Sequence, residues 1–276
     1  MFGVVLTAIS SFFREISTSI GKVEVAAKKE SMFTMGFLNS FWVLIIFGVL
    51  ILVRNSFVFS LASLPTFIVR AILEIFQVHS ALLGEVKAER TTFGFVNVIT
   101  IPFLLLIDTV LGYSVGTMQL FGMASIFIAL FILFFKHKLG KDGLGYVLFC
   151  SINSVATISL FKYNISHFNS VEAEQFTMEL ILIVYLFLCA MFLAKENPIK
   201  FLKKPIFFVQ SATNGAGGVL LSFAYLFAPA SVIVAAKRSF TIIGSLVSGS
   251  IYFHEKYIVL KFTAMAFLIL GVILLV

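Results

Sequence analysis

Charge is what this sequence has least of. Asp, Glu, Lys and Arg make up 12% of the 276 residues, against about 25% in an ordinary soluble domain. A water-soluble fold of this length must cover much of its surface with polar groups. A soluble enzyme, a disordered chain and a nucleic-acid-binding protein are therefore excluded. Cysteine is nearly missing too. Cys150 and Cys189 lie in apolar stretches with no pairing motif, which excludes a disulfide scaffold and reads both as small buried residues. The four histidines, at 79, 137, 167 and 254, show no metal-ligand spacing. An HExxH pair, a nucleophile elbow, a phosphate-binding glycine loop and an aspartate-rich diphosphate motif are all wanting. The expectation is a protein that is not an enzyme and uses no metal or cofactor. A nucleotide-binding domain for an ATP-driven pump has no place to fit.

Apolar residues are what the chain has in excess. They account for 60% of it, 34 positions are phenylalanine, and the mean hydropathy is +1.09. A membrane helix needs about 20 mostly apolar residues. Ten such segments are present, at 2–21, 32–53, 57–83, 92–111, 117–135, 143–162, 176–194, 205–228, 230–252 and 257–276. Backbone polar groups in lipid must pair within their own segment, so these are helices. The first carries Arg14 and Glu15 and no small-residue cleavage pattern, and reads as a membrane helix, not a cleaved leader. Connections such as Arg54-Asn55-Ser56 are short, which makes consecutive helices hairpin neighbours.

The net charge of +7 is distributed by side. Four basic residues fall deep inside helices, away from their ends: Arg14, Arg70, Lys237 and Arg238. Of the other sixteen, fourteen lie after helices 1, 3, 5, 7 and 9, and only Arg54 and Lys162 lie on the opposite side. The positive-inside rule then puts the lysine-rich loops in the cytoplasm and both termini outside. A multi-pass protein of the cell membrane is expected, the inner membrane in a prokaryote. Its partners would be the bilayer and a small-molecule substrate, with a homodimer open as an assembly and no nucleic acid involved.

The chain also repeats itself. Phe33-Thr34-Met35 returns as Phe176-Thr177-Met178, Lys22 as Lys162, and the Gly122/Ala129 pair as Ala264/Gly271, at shifts of 140 to 143. Two five-helix repeats follow, over 1–138 and 139–276. An odd helix count per half makes the halves inverted in the membrane. Such architectures place a substrate site between the halves near the midplane. The fold class expected is an all-α integral membrane protein with ten transmembrane helices in two inverted five-helix repeats.

The residues from helix 8 onward resemble the EamA-type transporters of the drug/metabolite transporter superfamily. The resemblance rests on Ala228-Pro229-Ala230-Ser231, Lys237-Arg238-Ser239, His254-Glu255-Lys256 and Gly271-Val272, with Glu255 and Ala264 at the family's spacing. The first half carries a worn copy, in which Tyr113 stands where the family often has glutamate. The resemblance implies the ten-helix fold and secondary transport of a small organic solute by alternating access. A lipid-linked sugar flippase of the same superfamily is the alternative within transport. A non-transporting membrane scaffold is the alternative outside it.

Charged groups at membrane depth are costly and normally face a partner or a cavity. Helical spacing shows which ones share a face. Ser11, Glu15 and Thr18 align in helix 1 beside Arg14, and Ser63, Arg70, Glu74 and Gln77 in helix 3. Asn97, Thr100 and Asp108 align in helix 4, and Gln210, Asn214 and Tyr225 in helix 8 beside Gly215, Gly217 and Gly218. Ser231, Arg238, Ser245, Ser248 and Tyr252 align in helix 9. A cavity lined by helices 1, 3, 4, 6, 8 and 9 is the expectation, with interhelical hydrogen-bond glue as the bland alternative. The candidate substrate-binding residues are Glu15, Arg70, Glu74, Asn97, Gln210, Asn214, Lys237 and Arg238. Arg70 and Glu74 are also placed to pair along one helix, with Arg14 and Glu15 within reach across helices 1 and 3. In the sugar-phosphate translocators of the superfamily a Lys-Arg pair in the corresponding helix holds phosphate, and both side chains suit an oxyanion. Asp108 is expected at a solvated helix end. His254 and Glu255 are expected at a capping or hinge turn. Asn164-Ile165-Ser166 matches a glycosylation acceptor.

Overall fold

A computed structural model describes residues 1–88, 96–97, 100–135, 142–253 and 258–275. Among the described residues there is no strand. The helices are α1 (Phe2–Ala26), α2 (Met32–Arg54), α3 (Leu64–Lys87), α4 (Thr100–Val110), α5 (Thr117–Phe135), α6 (Leu144–His167), α7 (Val171–Phe192), α8 (Pro205–Ala224), α9 (Ala230–Phe253) and α10 (Ile258–Leu275). Short 3₁₀ turns precede α3 and α8.

The segments Met32–Arg54, Leu61–Lys87, Leu144–His167, Val171–Phe192 and Pro205–Ala224 are long and apolar enough to cross a membrane. Large apolar side chains point outward along the helices, among them Leu52, Val53, Phe121 and Phe192. In water such a surface would drive aggregation. The protein is an all-α, multi-pass membrane protein.

Helix boundaries follow local chemistry. Ser31 caps α2 by accepting from the Thr34 amide, and Asn55, at φ 50°, ends the helix in the left-handed conformation. The seventh helix starts five residues earlier than hydropathy suggests, at Val171, because Ser170 caps it through the Ala173 amide. The third starts later, at Leu64, with Pro65 in its first turn.

Helices pack in antiparallel pairs. α1 lies along α8, where the Ser10 hydroxyl donates to the Gly217 carbonyl at 2.6 Å. α3 lies along α6, where Asn153 donates to the Leu73 carbonyl at 2.8 Å. α2 lies along α7, with Thr34 donating to Glu196 just beyond the α7 end at 2.6 Å. α5 lies along α10, where Ser125 donates to the Phe267 carbonyl at 2.9 Å. α4 reaches α9 through Asp108, which accepts from the Ser231 amide at 2.7 Å.

The glycine run of α8 serves close approach, and α8 stays helical through it. A Cβ on Gly215 would stand 2.5 Å from Trp42 Cβ and 2.9 Å from the Trp42 carbonyl carbon. One on Gly217 would stand 2.9 Å from the Ser10 carbonyl oxygen. Backbone atoms cannot step aside, so Gly215→Ala is expected to push α2 off α8 and cost about 1–3 kcal/mol. A thermal melt in detergent checks this, and an unchanged midpoint would refute it.

Candidate functional site

Polar residues turned inward by α1, α3, α6 and α9 enclose a cavity of about 360 Å³. α1 supplies Ser11, Arg14, Glu15 and Thr18, consecutive steps of one helical face. α3 supplies Gln77, Ala81 and Glu85 from the stripe that begins at Arg70. α6 adds Cys150, Ser154 and Ile158, and α9 adds Lys237, Arg238 and Thr241. Met35 and Asn97 complete the wall. Three cations against two carboxylates leave one positive charge in excess on this lining.

Arg238 is held at one corner. Its Nη2 donates to Asn97 Oδ1 at 3.1 Å, and the same oxygen accepts from the Ser151 hydroxyl at 3.2 Å. Its Nε is buried with no partner. A buried guanidinium N–H without an acceptor is costly. A solute bearing a carboxylate, phosphate or other strong acceptor would supply one.

The cavity reaches toward the end of the bundle where α1 and α3 finish, with Val25, Ala26, Glu85, Val86 and Ala88 in its wall. At the opposite end the helices are tied to one another. Arg70 Nη1 donates to Glu174 at 2.7 Å, and Arg54 pairs with Glu172 at 3.1 Å. Asp108 holds the first turn of α9 through the Ser231 amide. Lys162 donates to the Tyr225 carbonyl at the end of α8 and stands 5.2 Å over the Tyr113 ring.

Of the sequence candidates, Glu15, Asn97, Lys237 and Arg238 share this cavity. The others stand elsewhere. Arg70 is buried at the α3–α7 contact, where its closest acid is Glu174 from the other half of the chain, with Glu74 at 3.6 Å and Gln175 accepting at 2.9 Å. Its guanidinium also lies 4.6 Å from the Phe161 ring centroid. Gln210 donates to Glu30 at 3.2 Å, and Asn214 donates to the Asn39 carbonyl at 2.6 Å. Both fasten α8 to the α1–α2 hairpin, and no α8 residue belongs to the cavity wall. Asp108 is 1% exposed, not solvated, because α9 begins against it. Asn164 is fully buried and donates to Glu174 at 2.9 Å, which removes it from reach of a glycosylating enzyme. His254 and Glu255 lie outside the described residues.

Sequence reading passed over Glu174 because a helix begun at residue 176 leaves it in a loop. It passed over Glu85 because the third helix was ended at residue 83. The stripe Arg70, Glu74, Gln77, Ala81 extended by one more step of four would have found it.

This geometry defines an all-helical membrane protein with a charged internal cavity. No family model and no curated protein matches the chain. A crystal structure of another protein is similar to it over 96% of this chain and 95% of that one, at a TM-score of 0.62 and 12% identity. At that identity the likeness concerns the fold alone.

Proposed function

We propose that the chain is a ten-helix secondary transporter of the EamA type, built from two inverted repeats over 1–138 and 139–276, and that the cavity binds a small organic solute. The observation that carries this reading is the charged cavity itself, walled by α1 and α3 of the first half and α6 and α9 of the second.

The pairing of helices supports the repeat. Exchanging α1–α5 for α6–α10 turns the α1–α8 pair into α6–α3, and leaves the α2–α7, α4–α9 and α5–α10 pairs each on itself. Each of these pairs is antiparallel, as a two-fold axis in the membrane plane requires of the three that map onto themselves. Asn97 and Arg238 are themselves 141 residues apart, close to the repeat distance, and meet at the cavity corner.

In this reading the lysine-rich end is cytoplasmic and the cavity is open toward it. The ties made by Asp108, Lys162, Arg54 and Arg70 hold the outer end closed. Alternating access would break them and close the inner rim while the solute stays between the halves. A scaffold needs no such cavity, and an unpartnered Arg238 N–H inside it would be a pure cost.

Cys150 offers a direct test, because it lies in the cavity wall while Cys189 is buried at another contact. In Cys189→Ser protein reconstituted in vesicles, a membrane-impermeant thiol reagent is expected to label Cys150 from the lysine-rich side. A transported solute from a panel of amino acids, nucleosides, sugar phosphates and organic cations should slow that labelling. Labelling from neither side, with no solute effect, would overturn the reading.

A further inference from the structure

Three carboxylates gather where α1, α2, α7 and α8 meet at the rim of the cavity: Glu24, Glu30 and Glu196. Two of them have their charge answered. Glu24 pairs with Lys29 at 3.2 Å. Glu196 accepts from the Ser31 amide at 3.0 Å and the Thr34 hydroxyl at 2.6 Å, at the N-terminus of α2, where a negative charge is stabilised. Glu30 has only an amide. Its Oε1 accepts from Gln210 Nε2 at 3.2 Å. Glu30 is 3% exposed and Gln210 is fully buried. The remaining polar atom of each side chain, Glu30 Oε2 and Gln210 Oε1, is buried with no partner.

Two orphaned acceptors in one carboxyl–carboxamide contact lack a single donor between them. A proton on Glu30 Oε2 is that donor, and it lets the two groups bond reciprocally. A metal ion is the other way to answer two oxygens. Among the described residues, though, no group of three or more His, Cys, Asp or Glu is arranged to hold one. Lys204, which precedes α8, lies over the Phe201 and Phe207 rings.

We propose that Glu30 carries a proton at neutral pH, and that its pair with Gln210 is a pH-sensitive latch joining the α1–α2 connection to α8. The latch adjoins the cavity. A Cβ on Gly21 of α1 would meet Gln210 Nε2 at 3.0 Å and Met35 Sδ at 2.8 Å, and Met35, Val25 and Ala26 are cavity wall. Loss of the proton leaves three carboxylates together and loosens the last turn of α1 beside the cavity mouth.

Burial pushes the Glu30 carboxyl up to about 8, with Glu24 and Glu196 adding to the rise against the opposing Gln210 bond. A carboxyl raised in the folded state stabilises fully below its unfolded value of 4.5 and loses that contribution as pH climbs through about 8. Within that window the folded-to-unfolded ratio falls about tenfold per pH unit on account of this group.

The test is a set of thermal melts in detergent from acidic to mildly alkaline pH, for wild type, Glu30→Gln and Glu24→Gln. Glutamine reproduces the donor and acceptor of the protonated acid. Glu30→Gln is therefore expected to fold, to match or exceed wild type at the alkaline end, and to lose the wild-type decline across the window. Glu24→Gln should keep a decline. A Glu30→Gln protein that fails to fold, or that declines as wild type does, overturns the latch. So does wild-type stability that falls, at fixed pH, when sodium is replaced by a bulky organic cation while Glu30→Gln is unaffected, since that result places a metal ion between the oxygens. None of these outcomes depends on transport.

Discussion

Glu174→Ala is expected to destabilise the protein by about 3–5 kcal/mol, the cost of removing one member of a buried ion pair. Glu174 is fully buried and accepts from Arg70, Asn164 and Asn169. Removing it leaves a guanidinium that is 3% exposed with only Glu74 and Gln175, and takes an acceptor from Asn164 and Asn169, the latter keeping the Ser63 hydroxyl. The i,i+4 acid, Glu74, stands at 3.6 Å and does not replace the lost contact. Replacing both members by apolar residues, Arg70→Met with Glu174→Leu, should recover part of the loss, because the apolar pair has no desolvation cost. Recovery stays partial since Asn164 remains without its acceptor and Glu74 loses Arg70. A double-mutant cycle from thermal or denaturant unfolding in detergent reads the coupling. Additive effects would show that the two side chains do not act as a pair.

The second large effect concerns the cavity. Lys237→Ala with Arg238→Ala is expected to abolish solute-dependent stabilisation and lower transport at least tenfold, at unchanged or raised stability of the solute-free protein. The sign follows from the site. Arg14, Lys237 and Arg238 face one cavity and repel one another. Charges at membrane depth cost a few kcal/mol each unless a partner answers them. Under the proposed function, stability is given up where binding needs charge. Thermal shifts against the same solute panel, with flux assays in vesicles, decide it. A double variant that melts far below wild type without solute would make the pair a structural strut, and retained flux would remove it from the binding site. An asymmetric result is informative as well. Loss with Arg238→Ala alone would point to the orphaned Nε as the group that meets the solute.

Much of this was legible in the sequence. Apolar runs at membrane length dictated helices, since lipid leaves the backbone no other partner. The period of 3.6 put Arg14, Glu15 and Thr18 on one face, and that face does line the cavity. What the glycines between Asn214 and Gly218 do was not legible, and packing made them a place of close helix approach. The cavity was legible in part. Lys237, Arg238, Asn97 and Glu15 meet as a common cavity requires, whereas Arg70, Gln210 and Asn214 serve the contacts that hold it in place.

By itself, then, the sequence determined a helical membrane chain, the inward-facing stripe of each helix and the alternation of charge between its connections. These are local properties, set by composition and by the geometry of a single helix. Only the tertiary structure decided which stripes face one another. Arg70 and Glu174 are 104 residues apart, Asn97 and Arg238 are 141 apart, and Glu30 and Gln210 are 180 apart. Helix periodicity carries no information about such distances. They are set by the close approach of helix pairs, by glycines that let backbones touch, and by the requirement that each buried charge find an answering group.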